Sequence, residues 1–106
     1  LDRAIIIFYI VILYMHKYSI STHSYNQAKA LGVTIKPSES KNKKIDVYKG
    51  DKKIASIGDI RYKDYPTYMK EDKDLANKHR AAYKKRHHKD LNKTGTPGYY
   101  ANNILW

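Results

Sequence analysis

The apolar positions of the chain fall into one continuous run and several short periodic ones. From Ala4 to Met15 there is no charge, and everything after His16 is polar and lysine-rich. Those 12 residues fall short of the roughly 20 that cross a bilayer as a helix. They resemble a signal-peptide core, but no small-x-small cleavage pattern follows them. Three readings fit: a truncated or interfacial membrane anchor, a buried strand or helix, or translated upstream sequence. The abrupt change of composition at Met15 favours the third. The expected organisation is an apolar segment over residues 1–14 and a single basic domain over residues 15–106. A membrane is a partner only if residues 4–15 are a genuine anchor.

Beyond Met15 the pattern predicts short elements. Ser21, Thr22, His23 and Ser24 offer N-cap groups, Tyr25 to Leu31 reads as a helix, and Gly32 suits its C′ position. Such a helix is too short to stand alone in water and must pack on something. Val33 to Lys36 is a brief extended piece, followed by a polar connector from Pro37 to Lys44. Ile45-Asp46-Val47-Tyr48 alternates apolar and polar, and Ile54-Ala55-Ser56-Ile57 follows across Lys49-Gly50-Asp51-Lys52. This is a hairpin signal with two registers. A two-residue Gly50-Asp51 turn sets Val47 opposite Ile54. A three-residue loop sets Ile45 opposite Ile57 and Val47 opposite Ala55, which makes the better apolar face and is favoured.

Asp64-Tyr65-Pro66-Thr67 opens the next helical stretch, with Pro66 in its first turn. Asp72 to about Asp90 is the longest helix candidate. Leu75, Ala76, His79, Ala82, Tyr83 and Arg86 recur at 3/4 spacing as a thin apolar stripe, and Leu75, Ala82 and Tyr83 are expected to cover the hairpin. Asn92 to Gly95 breaks it. Thr96 as N-cap and Pro97 at N1 start a last short helix over Gly98 to Trp106, which docks in the core through Tyr100, Ala101, Ile104 and Leu105. The fold class is therefore α+β: one small domain, a β-hairpin packed by a long basic helix and a short C-terminal helix.

Composition narrows the chemistry. The 106 residues include 21 Lys and Arg, 10 Asp and Glu and no Cys, a formal net charge of +11. Without Cys there is no disulfide framework, thiol nucleophile or Cys-based zinc knuckle. No phosphate-binding glycine loop, dinucleotide fingerprint, metalloprotease His pair or nucleophile elbow is present. His79 and His87 are two turns apart, too far to chelate one ion, and the adjacent His87 and His88 diverge. Asp59, Asp64, Asp72, Asp74 and Asp90 form no recognised metal pattern for a nuclease. The expectation is no enzyme, no cofactor and no metal.

The informative feature is the stretch from Lys78 to Lys89. Lys78, Arg80, Lys84, Lys85, Arg86 and Lys89 stand there with His79, His87 and His88 and no acid until Asp90. On a helix Arg80–Lys84 and Lys85–Lys89 repel at i, i+4. A polyanion relieves that repulsion, and phosphates do so by releasing counterions. These six residues are the candidate contacts to a nucleic-acid backbone, with little base reading. The alternative is a solvated face that keeps the protein soluble. The eleven tyrosines divide the same way, between stacking on unpaired bases and filling a small core. Core filling is favoured for Tyr65, Tyr68, Tyr83 and Tyr100, and the Asp64–Tyr68 cluster reads as a packed corner.

Several stretches together resemble one family. They are Leu31–Ser38, Lys43–Tyr48, Ala55–Gly58 and Tyr62–Tyr68, then Arg80, Tyr83, Arg86-His87 and Lys89-Asp90, then Gly95–Ala101 and Ile104–Trp106. The chain from about Gln27 to Trp106 is similar to small basic proteins of large DNA viruses of eukaryotes (nucleocytoplasmic large DNA viruses) and related environmental sequences. The family is one of unknown function, so the resemblance implies origin and compactness, with a virion or an infected host cell as the setting. Residues 1–14 lie outside it, consistent with a start at Met15. Arg61 departs from a small residue expected before Tyr62, and Leu91 from an Arg expected after Lys89-Asp90. The leading expectation is a non-enzymatic viral accessory protein that binds nucleic acid through phosphate contacts. Next comes a structural or interaction protein whose basic face meets an acidic virion protein, and third a small nucleic-acid hydrolase.

Overall fold

The computed structural model describes Arg3 and residues 18–106, so the Ala4–Met15 run and the expected start at Met15 lie outside the described residues. From residue 18 onward seven elements follow in order: α1 (Thr22–Leu31), β1 (Thr34–Pro37), β2 (Lys43–Lys49), β3 (Lys52–Asp59), α2 (Tyr65–Glu71), α3 (Lys73–Arg86) and α4 (Pro97–Leu105). The class is α+β. Among the described residues no helix is long and apolar enough to cross a membrane.

The sheet is antiparallel with strand order β1-β2-β3. The extended piece after Gly32 becomes an edge strand, placing Ile35 opposite Val47 and Pro37 opposite Ile45. An edge is where a strand tolerates proline, which has no N–H to donate. In the hairpin Ile45 faces Ile57 and Val47 faces Ala55, the register with the better apolar face. The tip nevertheless uses a two-residue turn, because Lys49 pairs Lys52 around Gly50 and Asp51. Gly50 supplies the φ of +61° that such a turn requires. A bulge reconciles the two: Tyr48 pairs Lys53 and Val47 pairs Ala55, leaving Ile54 as the extra residue.

Caps set the helix boundaries. The Ser21 side chain accepts from Ser24 N–H, and Gly32 at φ +73° closes α1 on Ala28 and Lys29 carbonyls. Asp64 caps α2, and Asp72 ends α2 and starts α3, accepting from Asp74 and Leu75 N–H. Thr96 caps α4 with Pro97 in its first turn. The long helix is shorter than its charge pattern suggests: His87 is its C-cap, and residues 87–92 are turns.

The core joins Ile35, Ile45, Val47, Ala55 and Ile57 of the sheet to Ala28 of α1 and to Tyr100, Ile104 and Leu105 of α4. The helices covering these side chains are thus α1 and α4. This corrects the expectation for α3, since Leu75 is 39% exposed and Ala82 is also exposed. Alanine and one leucine give α3 too little apolar area to compete with α4. It packs instead along α2, burying Ala76 and stacking Tyr68 on His79 at 4.0 Å between ring centroids. Two hydrogen bonds tie α1 to carbonyls at the end of α4: Ser24 Oγ donates to Ile104 O (2.8 Å) and Gln27 Nε2 to Asn103 O (3.0 Å). They satisfy carbonyls that a helix end leaves open.

Candidate nucleic-acid interface

The six basic residues do not form one face. A helix turns 100° per residue, so Lys78 and Lys85, seven apart, share one side. Both are exposed there. Arg80 and Lys84 project the other way. The Arg80 guanidinium lies 4.5 Å from the Tyr65 ring centroid, and its Nε is buried with no hydrogen-bond partner among the described residues. Lys84 Nζ donates to Asn102 Oδ1 (2.8 Å), stapling α3 to α4. Burial, and then the nearby Arg80 charge, pull the Lys84 ammonium below the ordinary lysine range. Arg86 ends the helix, exposed, and Lys89 follows in the turn, also exposed. The predicted set thus divides into four outward cations (Lys78, Lys85, Arg86, Lys89) and two built into helix packing.

The outward four share a further property. Among the described residues every ion pair uses another cation: Lys44 with Asp64, Arg61 with Asp59, Lys63 with Glu71 and Lys93 with Asp90. Among the described residues none of the six predicted cations is in an ion pair. Lys84, Lys85 and Arg86 sit in the last turn of α3, where the helix dipole offsets some of their mutual repulsion. That effect fades within one turn and does not reach Lys78.

Beside Arg86 a cleft of about 360 Å³ opens between the β2–β3 end of the sheet, the segment before α2 and the ends of α3 and α4. Tyr83 and Trp106 line it, stacked at 4.5 Å with planes 7° apart, and His87 lies against Tyr83. Burial raises the Tyr83 hydroxyl above the ordinary tyrosine range, with Arg86 opposing. Tyr62, 66% exposed, and Lys63 complete the mouth.

A buried ionic centre borders this cleft. Lys44 Nζ lies 2.9 Å from Asp64 Oδ2 and also donates to Tyr62 O, while Tyr18 OH donates to the same carboxylate oxygen. The other oxygen accepts from Thr67 N–H and Oγ1. Burial alone would raise the Asp64 carboxyl, but hydrogen bonds from Tyr18, Thr67 and Lys44 outweigh it and hold the group below the usual carboxylate range. The Tyr18 hydroxyl is pushed up by burial and by its bond to Asp64. The Asp64–Tyr68 cluster is thus a packed corner, with Asp64 and Pro66 buried. Nothing in the sequence marks Lys44, because an alternating strand assigns it outward. Tyr62 and Trp106 also escaped the pattern, as cleft walls assembled from distant segments.

Of the tyrosines expected in the core, Tyr100 is buried and Tyr65, Tyr68 and Tyr83 are half-buried between helices. Arg61 fits its turn through its N–H and guanidinium, both bonded to the Asp59 carboxylate. Among the described residues no group of three or more His, Cys, Asp or Glu side chains is arranged to hold a metal ion. Comparison with protein-family models, curated proteins and solved structures finds no match for the chain.

Proposed function

We propose that the protein binds nucleic acid without catalysis, through phosphate contacts from Lys78, Lys85, Arg86 and Lys89. The observation that carries this reading is the set of four outward cations with no ion pair among the described residues, in a chain of net charge +11. Such cations bind a polyanion by displacing its counterions. Their contacts position the protein on a backbone and carry no sequence information. The residues resembling the small basic proteins of large DNA viruses bear on origin alone, and the proposed role is that of an accessory protein in such a virus. A gel-shift titration on random-sequence duplex at two salt concentrations tests the reading. Retardation that weakens steeply with salt is expected, and none at low salt, with duplex or with single strand, refutes it. Recovery of an acidic protein after nuclease treatment, without duplex binding, would favour the protein-partner alternative.

A further inference from the structure

We infer that the cleft beside Arg86 seats an unpaired base, so that single strands bind in preference to duplex. The inference rests on the phosphate reading above and adds a subsite to it. Two observations carry it. The walls are aromatic: Tyr83 and Trp106 stack in near-parallel planes, and Tyr62 presents a ring that is 66% exposed. An exposed ring contributes little to the core, whereas every base offers a face for it to stack on. The rim is basic: Arg86, Lys63 and His87 line the same cleft. Lys63 pairs with Glu71 and lies 5.9 Å from the Tyr68 ring centroid, and its exposed ion pair is one that a phosphate can displace at small cost.

The interior charges are already neutralised. Asp64 is matched by Lys44 and Asp59 by Arg61, so neither carboxylate stands unopposed against an anion. The volume, about 360 Å³, falls within the roughly 300–1,000 Å³ of small-molecule sites. A duplex keeps its bases stacked and paired, so it reaches the outward lysines without filling the cleft. A single strand can do both.

Trp106 is the chain's one tryptophan, so its fluorescence reports on the cleft directly. The full chain is titrated with an oligo-dT strand, with a duplex of equal length and with dTMP. The strand is expected to quench Trp106 and to bind more tightly than the duplex, which binds without matching quenching. Tyr62→Ala removes an exposed ring and should weaken strand binding about tenfold while leaving duplex affinity unchanged. Lys85→Ala should weaken both. Strand binding with no quenching and no effect of Tyr62→Ala overturns the base subsite and leaves the phosphate reading standing. Absence of binding to either polymer overturns both. Quenching by dTMP at the strand's own affinity overturns the strand preference and assigns the cleft to free nucleotides.

Discussion

Lys84→Ala and Lys85→Ala separate a charge count from a charge geometry. The two residues are neighbours in sequence and equal in charge, but Lys85 is exposed while Lys84 donates to Asn102. Each phosphate contact contributes about −0.9 to the slope of log K against log salt on duplex DNA. Four outward cations give a slope of about −3.6, and all six would give about −5.4. Between 50 and 200 mM salt these correspond to losses of roughly 150-fold and roughly 1,800-fold in affinity. Lys85→Ala is expected to flatten the slope by about 0.9, and Lys84→Ala to leave it in place while lowering stability by about 1 kcal/mol for a lost, partly buried hydrogen bond. Fluorescence anisotropy on a labelled random duplex at five salt concentrations, with urea melts of each variant, reads both quantities. A wild-type slope near −5.4, or equal flattening by the two variants, would refute the division into outward and structural cations.

Other consequences concern the scaffold. Asp64→Ala should cost about 3–5 kcal/mol by urea denaturation, since it strands the buried Lys44 charge and removes the α2 cap. Lys44→Met with Asp64→Asn keeps a cap and leaves no charge, so it should cost less; a costlier double variant would contradict the buried-pair argument. Gly58→Ala should destabilise by about 2–4 kcal/mol, because φ is +78° and the new Cβ would lie 2.7 Å from Leu105 Cδ1; an unchanged midpoint would refute it. Stability should also fall in acid in two stages. Burial and Arg80 depress the His23 imidazole below its ordinary 6.5, with Asp64 opposing, so the unfolded state takes up the proton first and stability declines as pH drops below about 6.5. Asp46 and Asp64 are held below the ordinary 3.8, so their contribution is intact above that pH and is lost as pH falls through the folded values. For Asp46, hydrogen bonds from Ser56, Ser38 and Glu39 N–H outweigh the opposing effect of burial. Denaturation midpoints across pH 3–8 check this, and His23→Gln should remove the upper stage alone.

Local signals in this chain carried the caps, the turns and the strand register. Ser21, Asp64, Thr96 and Gly32 act where short polar side chains and glycine are favoured, because capping involves residues within a few positions. The hairpin register was legible because a slip by one residue would have turned Ile45, Val47 and Ile57 away from the core. The bulge at Ile54 was not, since it reconciles a tip and a face that each look complete alone. The end of α3 at Arg86 is not legible in the sequence either, because lysine suits a helix and a solvated turn alike.

What the sequence by itself determined is the α+β class, the hairpin, the caps and the concentration of charge between Lys78 and Lys89. Only the tertiary structure decided which helices cover the sheet, which cations face outward, and that Lys44, Asp64 and Tyr18 meet in one buried centre. The physical reason is range. Capping and alternation act over a few residues, whereas burial of a charge depends on partners as far apart as Tyr18 and Asp64. Six equal charges within one stretch therefore became four outward cations and two inward contacts only when Tyr65 and Asn102 took their places beside α3.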